Sequence, residues 1–69
     1  MSQEEQVLRY LYEHGSITPA DAFREFGIMR LGARIWDLKA AGVPIKTERE
    51  KGKNMFGNTV YYARYILED

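Results

Sequence analysis

The stretch from Thr18 to Gly42, TPADAFREFGIMRLGARIWDLKAAG, constrains this chain more than any other. It is punctuated for two short helices. Thr18 is an N-cap residue type, and Pro19 fits the first helical position, where a missing N–H costs nothing. Asp21 follows the cap by three residues, in a shortened capping-box spacing. Gly27 offers a left-handed stop after Phe26, so the first helix of the pair is predicted over about 19–26. The second is predicted over about 29–41, ending at Gly42. Its Leu31, Ile35 and Leu38 recur at i, i+4 and i+7, and Ile28 and Gly42 extend the same side, which marks the buried face.

The opposite face of that second helix is unusual for a solvent face. At 100° per residue it carries Met29, Ala33, Trp36 and Ala40, with Arg30, Arg34 and Asp37 on one flank. Small residues let a helix approach a groove closely, and arginine can bond guanine O6/N7 or phosphate. Two helices joined by a short glycine turn form a helix-turn-helix unit, whose second helix commonly enters the DNA major groove. The competing reading of Trp36 is ordinary core, packed on the first helix or on the C-terminal strands.

The flanking segments read as support for this pair. Ser2 and Glu5 form a capping box for an N-terminal helix over about 3–14, with Val7, Leu8, Leu11 and Tyr12 as its apolar stripe and Tyr10 off its centre. His14 is a last-turn partner for the helix dipole, and with no second His and no Cys as co-ligand no metal or catalytic role is expected of it. Ser16 and Ile17 make a short extended link that could pair with later strands. Ala22, Phe23 and Phe26 are assigned to the core. After Gly42, VPIKTE and TVYYARYIL have strand composition, giving a β-hairpin over about 43–49 and 59–67. Pro44 puts its strand at an edge or marks that strand's first residue. Between them REKGKNMFGN reads as a long basic tip. In the last strand Arg64 disfavours burying its own face, so Tyr61, Ala63 and Tyr65 are predicted to point inward.

With 69 residues the chain is expected to be a single domain, 1–69, of α+β class and mainly α. It has no Cys for a disulfide or thiolate site, no 18-residue apolar run, and an acidic N-terminus unlike a signal peptide, so a cytoplasmic protein with no membrane contact is expected. The net charge is zero, but it is unevenly spread: residues 1–23 carry −3, residues 24–64 carry +5 and residues 65–69 carry −2. Such asymmetry points to a binding face better than the sum does. Its bland counterpart is a solvated surface.

Three helices followed by a hairpin form the winged helix-turn-helix arrangement. The segment ITPADAFREFGIMRLGARIWDLKAAGVPIKTE further resembles the small winged helix-turn-helix domains of bacteriophages and prophages. The resemblance rests on a Thr/Ser cap, Ala22-x3-Phe26-Gly27-Ile28-x2-Leu31-x3-Ile35-x2-Leu38-x3-Gly42, then Ile45 and Thr47 leading into the wing. It implies a DNA-binding fold of phage or bacterial type with a regulatory or recombination-accessory role. The departure from that pattern is the tip, whose Met55 and Phe56 are more apolar than a phosphate-binding wing needs.

The expected partner is therefore double-stranded DNA, with no cofactor. The helix over 29–41 would enter a major groove, with Arg30, Ala33, Arg34, Trp36 and Asp37 at base edges or flanking backbone. Thr18 and the amides after it would approach a phosphate, and Lys46, Arg49, Lys51, Lys53 and Asn54 of the wing would touch backbone or a minor groove. The main alternative is a protein-interaction module, since exposed Trp36, Met29, Met55 and Phe56 suit a protein interface. A homodimer built through the apolar wing, or a phage or host protein partner, would fit that reading. Catalysis is not expected: no third group orients a pair such as Ser16 and His14, and GKN lacks the spacing of a phosphate-binding loop.

Overall fold

The computed structural model describes residues 1–68. Helices α1 (Gln3–His14), α2 (Pro19–Phe26) and α3 (Leu31–Ala40) pack against a three-stranded antiparallel sheet of β1 (Ser16–Ile17), β2 (Ile45–Lys53) and β3 (Thr59–Leu67), in the order β1-β3-β2. The link at Ser16 and Ile17 does pair with the last strand, as Ser16↔Ile66 and Ile17↔Tyr65. Two more backbone bonds close this end of the molecule, from the Leu67 N–H to the Gly15 carbonyl (2.9 Å) and from the Glu68 N–H to the Pro44 carbonyl (2.8 Å). Pro44 immediately precedes β2, which is an edge strand, so its missing N–H breaks no ladder.

Both capping boxes form. The Glu5 N–H donates to Ser2 Oγ (3.2 Å) and the Asp21 N–H to Thr18 Oγ1 (3.2 Å), with the reciprocal carboxylate bonds in place. Gly27, at φ +68°, ends α2 in the left-handed conformation that a Cβ disfavours. Helix α3 ends in a Schellman motif: Gly42 N–H donates to the Lys39 carbonyl (3.0 Å) and Val43 N–H to the Leu38 carbonyl (3.0 Å).

The core consists of Val7, Leu11, Ile17, Ala22, Ile28, Leu31, Ile35, Leu38 and Ile45, edged by Leu8, Tyr10, Phe26, Val43, Tyr65 and Leu67. Each fully buried Val, Leu or Ile contributes about 1.5–3 kcal/mol. Of the stripe read for α3, Ile28, Leu31, Ile35 and Leu38 are buried, whereas Gly42, past the end of the helix, is exposed.

Several local expectations change. Helix α3 starts at Leu31, two residues later than predicted, because Met29 and Arg30 carry the chain from buried Ile28 into the helix and Arg30 sits at the N-cap with ψ +60°. On α1 the inward residues are Val7 and Leu11, flanked by half-buried Leu8 and Tyr10, while His14 is exposed in the last turn. Tyr12 lies about 140° from Val7 and is exposed. Tyr10 meets Phe26 edge-to-face with ring centroids 5.9 Å apart and touches the His14 ring in a tilted contact, centroids 4.2 Å apart. Phe23, assigned to the core from sequence, is 59% exposed, since it stands one residue round the helix from buried Ala22 while Phe26 shares Ala22's side.

The largest difference is in the hairpin. Strand β2 does not end at residue 49 but runs to Lys53, pairing in register from Ile45↔Leu67 to Lys53↔Thr59. That makes a ribbon about 26 Å long, which the helical layer covers only at its base. Tyr65 therefore packs on the core, whereas Tyr61, four residues further out on the same face, is exposed.

Candidate nucleic-acid interface

Because β2 stays extended to Lys53, its side chains alternate between two faces, and the alternation sorts the charges. One face carries Thr47, Arg49, Lys51 and Lys53 from β2, opposite Tyr65, Ala63, Tyr61 and Thr59 from β3. It contains no carboxylate. The other face carries Lys46, Glu48 and Glu50 opposite Ile66, Arg64 and Tyr62, and its charges pair off. Arg64 Nε donates to Glu50 Oε2 at 2.7 Å and Arg64 Nη1 to Ser16 Oγ at 2.9 Å, tying all three strands together. The bond from Arg64 holds the Glu50 carboxyl below the usual carboxylate range, and Glu50 in turn raises Arg64. Lys46 Nζ lies 3.7 Å from Glu48 Oε2. Lys46, grouped with the wing cations from sequence, thus stands on the opposite face from Arg49, Lys51 and Lys53.

The acid-free face belongs to the side of the sheet on which Ile45, Tyr65 and Leu67 meet the helices, so it looks toward α3. Two contacts mark where helix and hairpin touch. Tyr65 Oη lies against Gly32, and Lys39 Nζ is 3.5 Å from Thr47 Oγ1. Gly32, Trp36 and Lys39 share one stripe of α3. Trp36, between the two contacts in sequence, is 69% exposed, which removes the core reading of this residue. On the hairpin the Arg49 guanidinium sits over the Tyr61 ring, 5.3 Å from its centroid. This cation–π contact holds the arginine along the strand without neutralising it.

The remaining residues singled out from sequence divide clearly. Arg30 is exposed at the start of α3, and Ala33 is half-buried beside it. Arg34, expected on the open flank of α3, is turned onto α1 instead. Its Nη1 donates to Gln3 Oε1 (3.5 Å), its Nε lies 3.6 Å from Glu4 Oε1 and its Nη2 3.4 Å from Asp37 Oδ2. The side chain is 30% exposed. The cause is tertiary: packing of α1 on α3 brings Gln3 and Glu4 beside residue 34. Asp37 is occupied by the same cluster. The Glu4 carboxyl is held low, first by its own backbone N–H, against partial desolvation, and then by the Arg34 guanidinium.

Thr18 is also not a free phosphate ligand. It is buried, and its hydroxyl accepts the Asp21 N–H that a phosphate would have needed. Partial burial works to raise the Asp21 carboxyl, but the Thr18 N–H, the Thr18 hydroxyl and Arg24 outweigh it and hold the group low. Asn54 is a turn residue: its Oδ1 accepts the N–H groups of Phe56 (3.0 Å) and Asn58 (3.1 Å).

Two residues enter the surface that sequence reasoning passed over, Tyr61 and Lys39. The signal for Tyr61 was present in the i, i+2, i+4 spacing of Arg49, Lys51 and Lys53, had the strand been read through Gly52. Lys39 had no signal, since its position depends on where the hairpin folds back. Among the described residues no cluster of His, Cys, Asp or Glu is arranged to hold a metal ion, and no helix is long and apolar enough to cross a membrane.

Neither a curated protein nor a solved structure matches the chain significantly. The sequence profile of the winged helix-turn-helix domain family matches residues 2–69, and the chain belongs to that family.

Proposed function

We propose that this protein binds double-stranded DNA, with α3 in the major groove and the β2–β3 hairpin along the neighbouring backbone as the wing. The observation that carries the reading is the charge-sorted hairpin: Arg49, Lys51 and Lys53 share an acid-free face that looks toward the exposed stripe of α3. A face of that composition suits a polyanion, and a stripe with Gly32, Ala33 and Ala40 lets a helix approach closely. Arg30, Trp36 and Lys39 are the side chains of α3 and its entrance that meet the groove. Phosphate contacts from the hairpin dominate affinity, and the contacts of α3 set specificity. Arg34 and Asp37 act inside the protein, holding α1 to α3. Membership in the winged helix-turn-helix family supports the reading, and the resemblance to phage domains supports a role as a transcriptional regulator or recombination accessory factor in a bacterial cytoplasm.

The test is a titration with random-sequence duplex at several salt concentrations. Neutralisation of about five phosphates by Arg30, Lys39, Arg49, Lys51 and Lys53 gives log K against log[salt] a slope of about −4 to −5. A slope near zero would remove the reading. It would favour the second one, a protein-interaction surface, for which the exposed Trp36 and Met29 are the specific observation.

A further inference from the structure

The apex of the hairpin is built to hold two large apolar side chains in water. The chain reverses over 54–58 in a tightly bonded turn. Asn54 N–H donates to the Asn58 carbonyl (3.0 Å), Gly57 N–H to the Asn54 carbonyl (3.0 Å), and Asn54 Oδ1 takes the N–H groups of Phe56 and Asn58. Gly57 supplies the positive φ, +79°, that this turn requires. Met55 and Phe56 project from it at 89% and 80% exposure, touching no core. Nothing in the turn needs apolar residues, because Asn54, Gly57 and Asn58 do the bonding. The pair lies at the end of the acid-free face, and residues 51–63 contain no Asp or Glu at all.

We infer that Met55 and Phe56 form a wedge that enters a base step of duplex DNA through the minor groove and kinks it, so that the protein deforms the DNA it binds. The inference rests on the duplex reading given above and adds to it. Apolar side chains driven between base steps, flanked by cations on the phosphates, are a recurrent means of bending DNA from the minor groove. The dimensions agree. Lys39 meets Thr47 where helix and hairpin part, and six residues of strand separate Thr47 from Lys53, about 20 Å. With α3 in a major groove, the adjacent minor groove lies about half a helical turn away, roughly 17 Å. The turn is already ordered by four hydrogen bonds, so insertion does not have to organise it first. Pyrimidine–purine steps, which unstack most readily, are the preferred entry points.

The experiment uses the whole chain and a duplex of about two helical turns. It carries A·T flanks, one central TA step with 2-aminopurine in place of its adenine, and a dye pair on its ends. The expected result is a rise in 2-aminopurine fluorescence and a shortened end-to-end distance on binding. Met55→Ser with Phe56→Ser, both at exposed positions, keeps salt-dependent binding but weakens it about tenfold, and leaves both signals at the free-duplex level. Binding by the parent protein without a fluorescence change, or a change that survives in the double variant, would overturn the wedge while leaving the duplex reading intact. A dimer lost in the double variant with the distortion preserved would instead assign the apex to a second copy of the chain. Absence of salt-dependent binding in the parent protein would overturn the duplex reading and the wedge together.

Discussion

Gly32 of α3 lies directly beneath the Tyr65 hydroxyl of β3, so near that a methyl group on residue 32 would rest 3.6 Å from the oxygen. This approach sets the hairpin against the helix and gives the two parts of the candidate interface one orientation. A small residue there leaves room for the end of the Tyr65 side chain over the first turn of α3.

At 3.6 Å a methyl is in ordinary contact, and Gly32 does not occupy a positive-φ conformation. Gly32→Ala is therefore expected to stabilise the fold by up to about 0.5–1 kcal/mol, through the smaller entropy of the unfolded chain. Gly32→Leu should lift Tyr65 and cost about 1–3 kcal/mol by overpacking. Urea denaturation of both variants checks the pair. Equal destabilisation by both would show that the contact is tighter than the geometry indicates.

The two hairpin faces predict opposite results for neighbouring lysines. Lys53→Ala should weaken binding to all duplex sequences alike and reduce the salt slope by about 0.9. Lys46→Ala, on the face where Glu48 already sits beside it, should leave the slope unchanged. Salt titrations of the two variants side by side are sufficient. If Lys46→Ala has the larger effect, the polarity of the hairpin has been assigned the wrong way round.

Trp36 is the only tryptophan, and it stands in water. Trp36→Ala should change folding stability by no more than about 0.5 kcal/mol, as for a surface position. Its loss should still lower duplex affinity about tenfold, by analogy with an aromatic anchor at the centre of a contact. Tryptophan emission in the parent protein should be that of a solvated indole and should shift or quench on titration with duplex. Unchanged emission at saturating duplex would take Trp36 out of the interface.

The capping box of α2 gives a pH dependence with a defined sign. The native Asp21 carboxyl is held below its ordinary value, the bonds from Thr18 and Arg24 prevailing over partial burial. Its contribution is therefore complete above the ordinary carboxylate range and is lost as the pH falls through the lowered native value. Glu50, held low by Arg64, acts in the same direction. Thr18→Ala should cost about 1 kcal/mol at neutral pH and flatten the acid limb of a Tm-against-pH profile. A profile parallel to that of the parent protein would mean that Asp21 is not coupled to the cap.

What was legible in the sequence is what local chemistry dictates. Thr18, Pro19, Asp21 and Gly27 bound α2 because caps and left-handed stops act within a few residues. Leu31, Ile35 and Leu38 mark the core face of α3 because one helix has one period. Strand β2 was cut short because Gly52 reads as a turn former. In the ladder it lies opposite Val60 and stays extended, since pairing along both strands outweighs one residue's weak preference.

The candidate site was less legible, because it is assembled across elements. The positions of Arg30, Trp36, Arg49, Lys51 and Lys53 in the chain were enough to nominate them. Register then decided that three of these cations share a face and that Lys46 does not, since a side chain's face depends on how far the strand runs and what it pairs with. Packing of α1 on α3 withdrew Arg34 into a cluster with Glu4 and Asp37, and a buried cap withdrew Thr18. The sequence by itself determined the elements, their ends and the core stripe of α3, all set by interactions within a turn or two of helix. Only the tertiary structure decided which charged groups stand free and which are spent on one another, because an ion pair depends on distances between segments that no local pattern encodes.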